Sequence, residues 1–531
     1  MDALLADAMA PSSMLFLILA LGLALGFEFV NGFHDTANAV ATVIYTHTLK
    51  PWVSVIWSGV WNLIGVLTSS GAVAFGILAL LPVELVVNVG SSAGFAMVFA
   101  LLISAILWNL GTWYLGLPAS SSHTLIGSIM GVGLANSMMT KGAEFGEGVN
   151  WAKAREVFLS LLISPVVGFM AAGLLLIVMR TLIRRKELFT EPPKGQPPPM
   201  WIRGLLILTC TGVSFAHGSN DGQKGMGLVL LILIGILPAS YALNMSTDAA
   251  KLHEIVADSK SAQAILDRSA PAMALSDADE SLALSAYLKT SGKVEPRTHA
   301  ALAAMNHRLT DAMSGKTSFA DLAEGDRKLL RTNVYLVAET IGKLNKQKLL
   351  GEDADKKVLL AYKGHLDTTT KFVPPWVKVA IALALGLGTM IGWKRIVVTV
   401  GEKIGKTHLT YAQGASAELV AMTTIGAADV FGLPVSTTHV LSSGVAGTMA
   451  ANRSGLQMST LRNLLLAWVL TLPVCVILGA GIFAGTLNII FYQAWWQVAG
   501  VLAVLAIAVV LLVRKSRGKT SGPVATAASS V

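Results

Sequence analysis

The 531-residue chain has little charge: Asp, Glu, Lys and Arg together make up 13% of it, against 53% hydrophobic residues. Soluble domains carry about a quarter charged residues, so this is an integral membrane protein. Its only two cysteines, Cys210 and Cys475, both lie in apolar stretches, which argues against a disulfide framework. No Lys or Arg precedes Lys50, so the basic start of a cleaved signal peptide is missing and the first apolar segment should be retained. Period-two alternation at barrel-strand length is missing, which leaves helices to cross the bilayer. No G-x-x-x-x-G-K-[ST] motif occurs, which argues against a nucleotide-driven pump.

What is present is a series of apolar segments at 13–48, 52–81, 93–115, 119–137, 156–179, 201–243, 375–398, 409–431, 436–452, 461–485 and 489–513. Many reach the roughly 20 residues that a transmembrane helix needs, so an all-α polytopic fold of about 10–12 transmembrane helices is expected. The first and sixth are too long for one simple crossing. As a single helix, 13–48 would extend about 54 Å, so each is expected to be a broken or tilted span or a pair of shorter helices.

The net charge of +9 resides mainly in short clusters beside apolar segments, such as Arg184, Arg185 and Lys186, Lys394 and Arg395, and Arg514, Lys515 and Arg517. Such clusters orient spans with their basic ends in the cytoplasm and give no reason to expect nucleic acid. With the N-terminus outside and each long segment counted once, all of them fall inside. The proline-rich stretch KELFTEPPKGQPPPM then separates two halves, with five crossings before it.

An odd number of crossings means that a second half of similar design enters from the opposite side. Two motifs recur accordingly: NGFHDTANA at 31–39 with HGSNDGQKG at 217–225, and GLPASSSHTLIG at 116–127 with GLPVSTTHVLSS at 432–443. The spacing from Asp35 to His123 is 88 and from Asp221 to His439 is 218, a difference of 130 that matches the one long polar stretch, 244–373. That stretch holds 17 of the 31 acidic and 18 of the 40 basic residues, and its apolar residues show helical spacing. A small helical subdomain outside the membrane is expected there, the alternative being an unpacked loop. The chain thus divides into a first membrane repeat (13–180), a cytoplasmic linker (181–200), the start of a second repeat (201–243), the polar insert (244–373), the rest of the second repeat (374–485), a terminal transmembrane helix (486–514) and a basic tail (515–531). The two repeats are expected in inverted topology, with broken or re-entrant helices at the midplane.

Carboxylates are costly inside a bilayer, so Glu28, Asp35, Asp221, Glu418 and Asp429, in or beside the spans, are candidates for function, with helix-to-helix polar ties as the alternative. In each second motif Gly-Leu-Pro ends one apolar segment and a hydroxyl run opens the next: Ser120, Ser121, Ser122, His123 and Thr124, then Ser436, Thr437, Thr438 and His439. A helix start with free N–H groups, hydroxyls and an imidazole suits an oxyanion, and two such starts could enclose a tetrahedral anion. Taken singly, either run could be plain capping and close packing. The duplication, each time with a following His, favours the anion.

The motifs GLPASSSH, GLPVSTTH, GFHDTANA and GSND resemble the two signature repeats of the inorganic phosphate transporter (PiT) family, over about 20–180 and 200–485. The resemblance implies a secondary transporter, not an enzyme, in the cell inner membrane. It also implies inorganic phosphate as substrate, held largely by the hydroxyl runs, and a coupling cation served by the aspartate motifs. Two positions depart from the family's G-A-N-D-V-A-N-A: His34 replaces its first Asn in repeat one, and Lys224 its last Asn in repeat two. Asn carbonyls suit Na⁺, whereas His exchanges protons near neutral pH and Lys brings a fixed positive charge. The pattern is therefore most similar to the low-affinity, proton-coupled bacterial branch, which carries neutral metal–phosphate complexes.

On this reading Asp35, His34, Asn38, Asp221, Asn220 and Glu418 handle the coupling cation or proton. Asp35 and Asp221 are also placed against a co-transported divalent metal such as Mg or Zn, and Lys224 near the phosphate. No permanently bound cofactor is expected, and a homo-oligomer is allowed. The rival readings are a sodium-coupled phosphate or sulfate symporter of the same fold and, from another class, a membrane sensor whose insert binds a ligand.

Overall fold

In a bilayer every backbone N–H and C=O must be satisfied within the protein, which makes helices the solution for segments this apolar. The computed structural model describes residues 11–492 except 79, 81–91, 141–144, 148, 194, 242 and 289–291, and for some helical residues, 35–38 among them, the backbone only. The expected terminal helix and tail therefore lie outside the described residues from 493 onward. Among the described residues the chain is helical and has no strand.

Before the linker come α1 (Pro11–Tyr45), α2 (Pro51–Thr68), the short α3 (Ala72–Leu78), α4 (Ser92–Tyr114), α5 (Ser121–Met139) and α6 (Trp151–Leu182). After it come α7 (Met200–Ile236) and five polar helices: α8 (Ala249–Ser269), α9 (Asp277–Leu288), α10 (Pro296–Met313), α11 (Glu324–Lys346) and α12 (Asp353–Thr370). The chain ends with α13 (Pro375–Ile391), α14 (Tyr411–Val430), α15 (Thr437–Ala451) and α16 (Met458–Tyr492). Six of these, α1, α2, α4, α6, α7 and α16, are each long and apolar enough to cross a membrane. The remaining membrane helices are shorter or more polar and pack among them. Leu162, Val166, Met170 and Leu174 on α6 and Val469 and Ile477 on α16 are more than half exposed, as lipid-facing side chains should be.

Two ends of the bundle are defined by loop contacts. At one, Tyr45 Oη donates to Glu402 Oε1 (2.8 Å), His408 N to Glu191 Oε1 (3.1 Å) and Lys406 N to Gly455 O (3.1 Å). The cationic loops read as cytoplasmic gather there. At the other, Lys378 Nζ donates to Ser69 O (2.7 Å), and the polar insert emerges from the C-terminal end of α7. The insert packs its own core, around Leu252, Tyr287, Leu309, Val334 and Tyr362, and Asn244 N donates to Thr369 O (2.8 Å), which ties its two ends together.

The halves interlock in reciprocal pairs: α1 lies along α13 and α7 along α2, while α5 lies along α16 and α15 along α6. Each aspartate motif contains a glycine at its crossing. A Cβ at Gly32 would stand 2.5 Å from Thr389 N, and one at Gly218 would stand 2.1 Å from Asn62 O. The backbones touch at these two places, so the neighbouring Asp is fixed in register.

Three expectations need correction. The segments 13–48 and 201–243 are neither broken nor paired: α1 and α7 are continuous helices of 35 and 37 residues. At 1.5 Å per residue they extend about 52 and 55 Å, well beyond a hydrocarbon core of about 30 Å. Neither has an interior proline to interrupt the ladder. Breaks between helices fall instead at the two Gly-Leu-Pro sequences, where Gly116 and Gly432 take φ of +67° and +64°. The segment 52–81 splits at Ser69–Gly71 into α2 and α3, and α16 runs past the expected boundary at 485 to Tyr492.

Candidate functional site

The two hydroxyl runs fold alike. Ser120 Oγ accepts from His123 N (3.2 Å) and Ser436 Oγ accepts from His439 N (3.1 Å), so each first serine caps the helix that follows it. Residues 120–124 and 436–439 are all buried, the most exposed being His123 at 8%. The runs also meet one another. Ser122 Oγ donates to Val435 O (2.8 Å), the His123 and His439 rings lie 4.8 Å apart, and His439 stacks on Trp468 at 4.2 Å. Thr124 Oγ1 donates to Asn109 Oδ1 (3.0 Å), and Asn109 O meets His34 Nε2 (2.8 Å). The start of α5 is thereby joined to the first aspartate motif.

The second aspartate motif reaches in from α7. Asp221 Oδ1 lies 2.6 Å from Lys224 Nζ, and Oδ2 lies 3.4 Å from His217 Nε2 and accepts from Ser121 Oγ (3.4 Å). His217 Nδ1 meets Asn62 Oδ1 of α2 (2.6 Å), and Asn220 Nδ2 donates to Leu433 O (3.2 Å). Ser219 Oγ and Gln223 Nε2 donate to the two oxygens of Asp429 (2.6 and 2.5 Å). One stretch of α7 therefore bridges α2, α5, α14 and the Gly-Leu-Pro break before α15.

Of the expected site residues, Ser120 to Thr124, Ser436 to His439, Asn220, Asp221, Lys224 and His34 fall in one connected region. The side chains of Asp35 and Asn38 lie outside the described residues. Glu418 stands apart: Glu418 Oε2 accepts from Thr209 Oγ1 (2.5 Å) and its carboxylate also bonds Thr42. Thr209 precedes Asp221 by twelve residues, about 18 Å along α7 toward the cationic end. His217, Gln223, Asn62, Asn109 and Trp468 belong to the region without having been singled out from the sequence. Asn62 and Asn109 carried a usable signal, a polar amide inside an apolar span; Trp468 carried none.

Asp221 and Lys224 form a fully buried ion pair. Among the described residues no group of three or more His, Cys, Asp or Glu side chains is placed to hold a metal ion. Two helix starts, their hydroxyls and a buried ammonium pair, enclosed far from water, suit a small oxyanion that enters and leaves.

An all-helical multi-pass bundle around such a buried polar centre defines the class of a secondary transporter. The model of the phosphate transporter family matches residues 31–479, and the chain belongs to that family. It is 42% identical over 481 residues to the low-affinity inorganic phosphate transporter PitA of Escherichia coli (strain K12), covering 88% of this chain and 96% of that one. It is 40% identical to PitB of the same organism (90% and 97% covered) and 28% identical to the probable low-affinity inorganic phosphate transporter of Bacillus subtilis (strain 168; 88% and 96% covered). A solved structure titled the sodium-dependent phosphate transporter aligns with a TM-score of 0.47 and 21% identity, over 88% of this chain and 98% of that one. The protein is a phosphate transporter and a multi-pass inner-membrane protein, not an enzyme.

Proposed function

We propose that the chain is a proton-coupled symporter that takes up inorganic phosphate, as a neutral complex with a divalent metal, by alternating access between two inverted repeats. The observation that carries the coupling is the buried Asp221–Lys224 pair at 2.6 Å. A tethered ammonium already fills the cation position beside Asp221, so sodium has no vacant carboxylate there. A proton arriving on Asp221 dissolves the pair and frees the Lys224 charge for the anion, which ties proton entry to phosphate binding. The reciprocal packing of α1 on α13 and α7 on α2 supports the inverted relation, since each half lends the other the surface on which its aspartate motif rests. The hydroxyl runs bind phosphate through the first turns of α5 and α15, with His123 and His439 between them.

The site is tested by Ser121→Ala combined with Thr437→Ala. Each hydroxyl bonded to a charged ligand contributes about 1.5–3 kcal/mol, so half-saturation for phosphate uptake should rise roughly tenfold or more. Unchanged half-saturation in a variant that inserts normally would remove the hydroxyl runs from the site.

A further inference from the structure

A carboxyl group on the first repeat enters the second repeat's motif without belonging to either. Glu28 of α1 is completely buried. Its Oε2 accepts from Asn31 Nδ2 at 3.3 Å, and its Oε1 has no hydrogen-bond partner. The side chain lies over Gly225, next to Lys224: a Cβ at Gly225 would stand 2.2 Å from Glu28 Cγ and 2.6 Å from Oε1. The glycine is a cradle that the carboxyl fills.

Among the described residues, the charged neighbours of Glu28 come from α7: His217, Asp221 and Lys224. On its own helix the adjacent polar group is Asn31. Neither α2 nor α4 contains an acidic, basic or histidine residue, and the single such group of α13, Lys378, is engaged with Ser69 O. Among the described residues two carboxyl groups, Glu28 and Asp221, therefore share one ammonium. With both ionised, the cluster carries an uncompensated negative charge in a site that must receive an anion, and a buried unpaired carboxylate is among the costliest groups a protein can hold. Along α7, Gly225 lies beyond Asp221 on the side of the insert, opposite to Glu418.

We propose that Glu28 is a proton-carrying residue of the transport cycle: it takes a proton from the insert-facing side at Oε1, and its neutral form admits phosphate beside Lys224. Release of that proton toward the cationic end restores the charge and expels the anion. Reciprocity requires that phosphate in turn raise the affinity of the site for the proton. This rests on the proton-coupled reading above.

The test is Glu28→Gln, a neutral mimic of the protonated side chain, in proteoliposomes alongside the parent. Two rates are read: uptake of labelled phosphate driven by an imposed proton gradient, and exchange of phosphate at equal pH on both sides. The ratio of driven uptake to exchange should fall at least tenfold in Glu28→Gln, and the pH dependence of half-saturation should flatten. Glu28→Asp, which keeps a carboxyl group, should keep driven uptake with a displaced pH profile, and it decides the matter should the Gln variant fail to assemble. A parent that responds to the gradient with a Gln variant that responds equally would overturn the role of Glu28 alone, as would an Asp variant with an undisplaced profile. A parent indifferent to the gradient would overturn the coupling and this inference together.

Discussion

At the scale of single residues, the chain's departures from its family's aspartate motif acquire physical content. Lys224 is a fully buried cation whose ammonium lies on Asp221, and His34 is anchored on the carbonyl of Asn109 at the entrance to the first hydroxyl run. Removing one partner of a buried ion pair costs about 3–5 kcal/mol, because the other is left uncompensated. Lys224→Asn, which restores the family's residue, should therefore reduce proton-driven uptake by at least tenfold and leave Asp221 open to a mobile cation. Labelled-phosphate uptake with and without sodium checks this: residual uptake that sodium stimulates is expected, and full proton-driven uptake would show that Lys224 is a bystander. These substitutions were legible from the sequence because they depart from the motif of the family that it resembles. The part of Gln223 and Ser219 was not, since their partnership with Asp429 joins residues more than two hundred positions apart.

At the scale of elements, the long helices α1 and α7 act as rods that carry the two aspartate motifs past each other. The sequence reading left their continuity open, as a tilted span beside a broken or paired one, because clusters of polar residues also mark loops. Only the packing of His217, Ser219, Asn220 and Gln223 against α2, α14 and the break before α15 reveals that the α7 cluster faces protein. The breaks at the Gly-Leu-Pro sequences were legible, since a glycine with a proline two residues on ends one helix and prepares the next. Gly218 tests the rod arrangement. The Cβ of Gly218→Ala would lie 2.1 Å from the Asn62 carbonyl oxygen, and α7 would have to move off α2. Overpacking of this kind costs about 1–3 kcal/mol, so the melting temperature of the purified protein should fall while Gly204→Ala, which meets nothing within 4 Å, leaves it in place. Equal melting of the two variants would contradict the close crossing.

At the scale of the whole molecule, the two halves are legible as a repeat because removal of the 130-residue insert brings both motif pairs into register. The structure adds how the halves depend on each other: the hydroxyl run of each leads into a helix packed along a helix of the other, and the two runs meet at the His123–His439 contact. Such an interface is a natural place for alternating access, since tilting one half against the other changes which end of the bundle reaches the buried centre. Moving one charge through 100 mV is worth about 2.3 kcal/mol, so under the proposed coupling a proton carried inward would supply enough free energy to concentrate phosphate appreciably. The central claim is that protons, and not sodium, drive this uptake. Labelled-phosphate accumulation in proteoliposomes, measured under a proton gradient without sodium and then under a sodium gradient at equal pH, tests it most directly. Accumulation under the first and none above background under the second is predicted; accumulation that follows sodium and ignores protons would contradict it.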